Sequence, residues 1–388
     1  MNTGKYVFAQ VSELLSANDF LRFVSKYDGN FKVQHFSCWN QLMCMLFGQF
    51  SNRDSLSDLI ICLESQRSKW YHLGMGIGIS KSNLAYANEK RDWRIFSEFA
   101  YSLIAQARII CSDSKDLGIL TEGNVYAIDS TTIDLCLSIF WWAPFRKTKA
   151  AVKLHTEFDL KTEIPTYVHL SDGLVHDVKM LDQLEFEQNA FYIMDRGYVS
   201  LKQLYRLHKS GAYFVTRSKS NMDYRRLYSM ACDKLTGVLC DQHIKFNNHY
   251  PSLYYPEAMR RIKYRDLETK KTLEFLTNNF DLDSIDIAKL YKHRWKIELF
   301  FKWIKQHLKI KSFWGHSENA VRIQVYSAII AYTLVAILKE KHKINYSTYE
   351  ILQILSITLL SKTHINQLFC ESYQQTIKEL KDNQLNLF

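Results

Sequence analysis

The chain has 388 residues, which is too many for one compact core and indicates two or three domains. Its formal net charge of +10 and its isoelectric point near 9 favour a polyanionic partner. The eight cysteines include no CxxC pair and no cysteine–histidine spacing suited to zinc, so composition excludes a zinc module and predicts small core cysteines in a reducing cytoplasm.

The sequence also gives no sign of a membrane segment. The first ten residues contain no basic stretch followed by an apolar one, so we expect no signal peptide. The longest apolar run, 326–338, is shorter than a bilayer requires and is predicted to be a buried helix. We therefore expect a soluble protein without a membrane partner.

The N-terminal region, residues 1–115, is predicted to be helical. Apolar side chains recur at helical spacing over 36–50 and again over 55–63. The alternate glycines of 74–78 resemble a nucleotide-binding loop, but no strand with a following acid frames them, so a turn is the better interpretation. This region is therefore predicted to be a helical domain.

A helix is predicted to begin at Lys81, with Ser80 as its N-cap. Its polar side chains could contact nucleic acid, and a solvated helix face is an equally good explanation of each of them. The candidates are Lys81, Asn83, Lys90, Arg91 and Arg94.

The next region, residues 116–217, is rich in predicted strands. The strands are expected over 125–129, 150–158, 164–170, 191–195 and 212–217, with helices over 178–186 and 200–209. This β-β-β-α-β-α-β order predicts an α/β fold with the mixed sheet of a ribonuclease H-like core.

Two carboxylates stand at the ends of apolar strands in this region. Asp129 follows the run 125–128, and Asp195 follows 191–194. An acid at such a position costs stability unless it is paired or binds a cation, although a single one often only caps a turn. In the predicted topology the two acids would be neighbours.

Residues 218–277 are predicted to be a β-rich segment with antiparallel strands, the last pair turning near Glu268 and Thr269. Four cations make one of these strands basic on both faces: Arg260, Arg261, Lys263 and Arg265. The segment contains no tryptophan.

A third carboxylate lies on a predicted helix near the C-terminus. Tyr291, Arg294, Glu298 and Lys305 fall within about 60° of one helix face. Ion pairs on a surface helix would explain this spacing. A site that holds a phosphodiester with the cations and a metal with the glutamate would explain it too.

The three acids and the spacing Tyr291-x2-Arg294-x3-Glu298-x6-Lys305 resemble the Y-R-E-K signature of DDE transposases of the insertion-sequence-4 type. The resemblance runs from about residue 10 to about residue 340. Other stretches that are similar to this family are IDSTTIDLC, FRKTKAAVKLHTEFDL, SDGLVHDVKML, MDRGYVSLKQLYRL, AYFVTRSK and GHSENAVRIQ.

With this resemblance the chain is expected to comprise five parts. These are a helical DNA-binding domain (1–115), the first part of the ribonuclease H-like core (116–217), a β-rich insertion (218–277), the last part of the core with the Glu298 helix (278–340), and a helical C-terminal region with possible dimer contacts (341–388). If the insertion stacks a flipped DNA base, Tyr254, Tyr255 or Tyr264 must do so, because tryptophan is absent there.

Two Mg²⁺ ions, with Mn²⁺ as a substitute, would be held by the three carboxylates. Asp129 is expected to bridge both ions, Asp195 to complete one site and Glu298 the other. His155 and His176 are not needed as bases and are more simply packed or capping residues. The expected DNA-binding residues are Tyr291, Arg294, Lys305, Arg146, Lys147, Lys153, Arg260, Arg261 and Lys263.

The resemblance implies a cut-and-paste transposase of the prokaryotic cytoplasm that acts at the nucleoid. Its partners would be double-stranded DNA, namely the terminal inverted repeats of the element and the target, and a second copy of the chain in the DNA complex. A ribonuclease H-like nuclease without strand transfer and an inactive DNA-binding relic are the two alternatives.

Overall fold

The computed structural model describes residues 4–112, 117–119, 121–136, 138, 140–146, 149–219, 222–307 and 313–369; for 144, 146, 149, 306 and 307 it describes the backbone alone. The chain divides into two compact units, of which one comprises Met1–Cys111 with Lys302–Phe388 and the other Ser112–Phe301. The predicted core segment 278–340 is therefore shared between the two units.

Helices predominate at both ends of the described chain, and strands predominate between them. The helices are α1 (Val7–Ser12), α2 (Ala17–Lys26), α3 (Cys38–Phe50), α4 (Leu56–Ser65), α5 (Lys81–Lys90), α6 (Arg94–Ile110), α7 (Leu201–Lys209), α8 (His249–Tyr254), α9 (Ser284–Lys292), α10 (Trp295–His307), α11 (Glu318–Lys341) and α12 (Thr348–Thr358). The strands are β1 (Val125–Leu135), β2 (Pro144–Arg146), β3 (Lys149–Asp159), β4 (Ile164–Asp172), β5 (Phe191–Met194), β6 (Tyr213–Arg217), β7 (Tyr224–Met230), β8 (Val238–Phe246), β9 (Met259–Arg265) and β10 (Thr272–Thr277).

Serine N-caps define where most helices of the first unit begin. In each case the serine side chain accepts a hydrogen bond from the backbone N–H three residues later, which satisfies one of the free donors of the first turn. The prediction for Ser80 and the helix from Lys81 is confirmed. The serines that act in this way are Ser16, Ser37, Ser55, Ser80, Ser317 and Ser347.

Helix α11 lies at the centre of the first unit and packs against α3 and α6. It is the one helix in the described part of the chain that is long and apolar enough to cross a membrane, and 89% of its most apolar window is buried inside the fold. The predicted buried helix over 326–338 is confirmed. Of the candidate cations on α5, Lys81 and Lys90 are exposed, whereas Arg91 donates to the carbonyl oxygen of Phe36 and to Gln41.

The second unit is built on one ten-stranded mixed sheet, with the order β2-β3-β1-β5-β6-β10-β9-β8-β7 and with β4 paired to β3. Strand β3 pairs in antiparallel fashion with both β1 and β4, whereas β1, β5 and β6 are parallel. Three antiparallel strands followed by two parallel ones form the ribonuclease H-like core that the sequence predicts.

The β-rich insertion does not form a separate sheet. Strand β10 pairs with β6 in antiparallel fashion, and β9, β8 and β7 continue the sheet outward. The predicted antiparallel pair with its turn near Glu268 is confirmed as β9 and β10. The sequence analysis missed the short strand β2, since three residues give no recognisable alternation.

One face of the parallel strands carries the core that supports the candidate site. Tyr126, Tyr192 and Phe214 from β1, β5 and β6 pack there against Leu204 and Leu207 of α7. Met180 and Leu181 join the same cluster. These two belong to Asp177–Gln183, which forms a 3₁₀ helix where an α-helix over 178–186 was predicted.

Candidate active site

Asp129 and Asp195 are brought together by two neighbouring parallel strands. Strands β1 and β5 pair in register from Val125 opposite Phe191 to Ile128 opposite Met194, so the acids that follow lie side by side. Asp195 ends its strand as predicted, whereas β1 continues past Asp129 to Leu135 because β3 still pairs with it there. Asp129 therefore lies within a strand and not at its end.

Glu298 reaches the same place from a helix that is interrupted. A single helix was predicted to carry Tyr291 and Glu298, but α9 ends at Lys292 and α10 begins at Trp295. At the junction the backbone N–H groups of Arg294, Lys296 and Ile297 bond to carbonyls three residues back, as in a tightened 3₁₀ turn. Despite this break, the side chains of Arg294 and Glu298 still contact each other.

Two side chains of the predicted tetrad, those of Arg294 and Tyr291, contact all three acids. Arg294 donates from Nη1 to Asp129 Oδ2 over 3.0 Å and from Nη2 to Glu298 Oε1 over 2.5 Å. Tyr291 donates its hydroxyl to Asp195 Oδ1 over 3.2 Å. One arginine fork and one phenol thus link carboxylates from β1, from the end of β5 and from α10.

Burial dominates the electrostatics of this site. It raises the pKa of Asp129 to about 6; the Ser130 N–H and Arg294 lower that value, while Glu298 and Asp195 raise it again. Burial also raises the pKa of Tyr291 to about 12. Burial lowers the pKa of Arg294, but Tyr291, Asp129 and Glu298 outweigh that effect and raise it. Negative charge is in excess here, and Arg294 balances only part of it.

The donor set fits a hard divalent cation. In the described residues no three acidic, histidine or cysteine side chains are close enough to share an ion as they are placed, because Arg294 lies between Asp129 and Glu298. All the same, three carboxylates with mutually repelling charges are the oxygen ligands that Mg²⁺ and Mn²⁺ prefer. The guanidinium occupies the region between two acids where such a cation would relieve the same repulsion.

Three other predicted DNA-binding residues are Lys305, Arg146 and Lys147. Lys305 is on α10, seven residues after Glu298 and thus on the same side of that helix. Arg146 belongs to β2, but only its backbone is described, and Lys147 lies outside the described residues.

The predicted DNA-binding role does not suit Lys153, Arg260 or Arg261, whose charges are used inside the fold. Lys153 donates to the carbonyl oxygen of Val175 over 2.8 Å and is 3.2 Å from an oxygen of Asp177. Arg260 is 3% exposed and forms a two-bond ion pair with Asp241. Arg261 pairs with Glu274. The alternation of the strand faces explains Arg260: its side chain points to the covered face, while Lys263 is half-buried.

The tyrosines suggested for base stacking differ in access. Tyr255 is fully buried and shares a hydrogen bond with His208 over 2.8 Å, so it cannot stack on a flipped base. Tyr254 is exposed at the end of α8, and Tyr264 is half-buried on β9. Tyr254 is the candidate with the most accessible ring.

Sequence reasoning missed Arg217, which lies beside Asp195. Strands β5 and β6 pair in parallel with Met194 opposite Thr216, so the residues that follow are neighbours. Nη1 of Arg217 is 4.0 Å from Asp195 Oδ1. The rule that found the two acids, a charged residue at the end of an apolar strand, would also have found this arginine in AYFVTRSK.

Comparison with known proteins gives a consistent result. Residues 121–334 match the family model described as "Transposase DDE domain", and residues 3–76 match a domain of unknown function. The "Putative transposase y4zB" of Sinorhizobium fredii is 34% identical over 268 residues, which cover 67% of this chain and 72% of that protein.

Two further relatives and one solved structure are also similar. A transposase of Geobacillus stearothermophilus, for insertion sequence element IS5377, is 31% identical over 56% of this chain and 57% of its own. One of Synechocystis, for element IS4SA, is 29% identical over 71% of this chain and 76% of its own. The piggyBac transposase synaptic complex with hairpin DNA is a remote match, with 12% identity, a TM-score of 0.48 and coverage of 99% of this chain and 85% of that one.

Proposed function

The chain belongs to the family of transposases with a DDE domain, and we propose that Asp129, Asp195 and Glu298 are its three catalytic acids. As a member of this family it is an enzyme that uses divalent metal ions to cleave DNA and transfer DNA strands. The observation that carries the assignment is the contact of Arg294 with Asp129 and Glu298, together with the contact of Tyr291 with Asp195. The contact between Arg294 and Asp129 joins residues that are 165 positions apart in the chain.

The three carboxylates would hold two Mg²⁺ ions, or Mn²⁺ in their place, which when bound activate water and neutralise the leaving oxygen of a phosphodiester. Asp129 lies between the other two acids in this proposal, because Arg294 connects it to Glu298 and the strand pairing connects it to Asp195. Burial keeps bulk water away from Asp129, so its negative charge acts in a medium of low dielectric and attracts cations strongly.

Arg294 and Tyr291 would exchange their contacts with the acids for contacts with the DNA backbone. A guanidinium fork binds two phosphate oxygens as readily as two carboxylates. With the acids engaged in metal binding, Arg294 would be free to hold a phosphate close to the scissile bond, and Tyr291 could donate its hydroxyl there. Lys305, Lys263, Arg146 and Lys147 would extend this contact along the DNA.

The reaction proposed is cut-and-paste transposition at the terminal inverted repeats of an insertion sequence. Hydrolysis of one strand at each element end frees a 3′-hydroxyl. That hydroxyl then attacks the phosphorus of a phosphodiester in target DNA, and the 3′-oxygen of the cut target strand leaves. Each step is an in-line displacement at phosphorus, so one set of carboxylates serves both. Two ends must be held together for a concerted insertion, and we therefore propose a homodimer on DNA.

Cleavage and joining of the native element end test this proposal. Inverted repeats that bracket the gene define the end, and a labelled duplex carrying it is incubated with wild type, Glu298→Gln and Glu185→Gln, first with Mg²⁺ and then with Ca²⁺. Glu185 is an exposed glutamate of the same unit and serves as the matched control. Joined product is then sought with a supercoiled plasmid as target.

Nicking at the element boundary in wild type and Glu185→Gln, absent in Glu298→Gln and in Ca²⁺, supports the catalytic assignment. Cleavage without any joined product points to a nuclease instead of a transposase. Tight binding of the end without cleavage by the wild type indicates a DNA-binding relic.

A further inference from the structure

The segment His176-Asp177 precedes a helix and suggests a simple cap, but the structure gives Asp177 another partner. His176 occupies the N-cap position of the 3₁₀ helix Asp177–Gln183 and makes no side-chain capping bond. Asp177 Oδ1 instead accepts a hydrogen bond from the hydroxyl of Ser130 over 2.6 Å. Ser130 directly follows Asp129, so this contact reaches the strand that carries the first acid.

Ser130 connects Asp177 to the carboxylate of Asp129. Its backbone N–H donates to Asp129 Oδ1 over 2.8 Å, while its side chain donates to Asp177. The same residue is therefore fixed at both of its polar ends. Any rotation of the backbone at Ser130 would move the N–H that holds Asp129.

Two side chains of strand β3 lie close to the carboxylate of Asp177. Lys153 Nζ lies 3.2 Å from Asp177 Oδ1, and its side chain is only 13% exposed. His155 Nδ1 is 3.9 Å from the same oxygen, and burial lowers the pKa of His155 to about 4, so this ring is neutral at physiological pH. Lys153 is thus the charged partner that holds the Asp177 carboxylate in place.

Tyr198, three residues after Asp195, is the next member of this cluster. It lies in the turn Arg196–Tyr198, which packs against the 3₁₀ helix of Asp177, and it is 2% exposed. Burial raises the pKa of its hydroxyl, and the charges of Asp177, Asp129 and Asp195 raise it further. The elements that carry the two strand acids therefore meet at this cluster.

We propose that Asp177 is a positioning residue, which through Ser130 fixes the orientation of the Asp129 carboxylate for metal binding. Lys153, which the sequence suggested as a DNA contact, serves in this network as the counter-ion of Asp177. The inference rests on the proposed role of Asp129 as a metal-binding acid. Outer-shell partners of this kind change metal affinity about 10- to 100-fold when they are removed.

The test measures binding of Mn²⁺ alone to the full chain by isothermal titration calorimetry, without DNA and without turnover. Asp177→Ala removes the acceptor, and Ser130→Ala removes the donor while leaving the Lys153–Asp177 pair intact. The double variant completes a thermodynamic cycle. Asp182→Ala is the matched control, since Asp182 is on the same 3₁₀ helix but bonds to Gln203 of α7.

Asp177→Ala and Ser130→Ala should each weaken Mn²⁺ binding about 10-fold, and the double variant should lose no more than the worse single one, with Asp182→Ala unchanged. Unchanged affinity in both singles, whatever happens to the melting temperature, would overturn the proposal in favour of a purely structural role. So would a complete loss in Asp177→Ala, as expected for a direct ligand. If Asp177→Ala does not fold, Ser130→Ala decides alone. If Asp129→Asn leaves Mn²⁺ binding intact, the proposed function fails first.

Discussion

Replacing Asp129 by asparagine should make the metal-free protein more stable at pH 8 while it abolishes metal binding. The carboxylate is 20% exposed and lies close to Asp195 and Glu298, so folding forces its charge into an unfavourable place. Asparagine has nearly the same shape, and its carbonyl oxygen can still accept from Arg294. It removes the charge and keeps the packing.

The size of the gain follows from proton linkage. The ordinary pKa of an aspartate side chain is 3.8, and that of Asp129 in the folded protein is about 6. The folded state therefore binds more protons than the unfolded chain between about pH 4 and 6, and stability falls as the pH rises through this window. At 1.36 kcal/mol per pKa unit the loss is about 3 kcal/mol above pH 6, and it is absent below pH 4.

Chemical unfolding at pH 4, 6 and 8 in the presence of a chelator measures this effect. Asp129→Asn should gain about 2–3 kcal/mol over wild type at pH 8 and nothing at pH 4. Asp134→Asn is the control, because Asp134 lies on the same strand with an exposed side chain, and its change should stay within about 0.5 kcal/mol. If Asp129→Asn is no more stable than wild type at pH 8, burial of the Asp129 charge does not destabilise the folded protein and the reasoning is refuted.

Three further predictions concern single contacts. Arg260→Met should lower the free energy of unfolding by about 3–5 kcal/mol, because it leaves Asp241 charged and unpaired in the core, and a melting temperature equal to wild type would contradict this. Arg294→Lys keeps the charge but replaces the planar fork, whose two nitrogens reach Asp129 and Glu298 separately, by a single ammonium nitrogen. The cleavage rate should therefore fall about 10-fold or more while DNA affinity in Ca²⁺ changes less; an equal loss in both assays would assign Arg294 to DNA binding alone. Ser347→Ala removes the capping box with Glu350 and should cost about 1 kcal/mol in the protection of α12 against hydrogen exchange; unchanged protection would show that the cap contributes nothing.

The sequence by itself determined the features that depend on local pattern. Apolar runs located β1 and β5, and the charged residues after Ile128 and Met194 marked the site, because an apolar run and the place where it ends can be read locally. Ser80 allowed the start of its helix to be predicted for the same reason, since an N-cap bond joins residues only three positions apart. The sequence spacing likewise selected Tyr291, Arg294 and Glu298 as candidates, although it predicted one continuous helix where the structure has two.

The tertiary structure alone decided which charged side chains are paired inside the fold and which remain accessible at its surface. Arg260 and Lys263 look alike in the sequence, but Arg260 is paired with Asp241 because strand β8 comes to lie beside β9. The break between α9 and α10 and the joining of β10 to β6 depend in the same way on distant partners. Asp177 shows this most clearly: it is linked to Asp129 only because the 3₁₀ helix that follows β4 brings it to Ser130 in the middle of β1, a contact between residues 47 positions apart that no local pattern encodes.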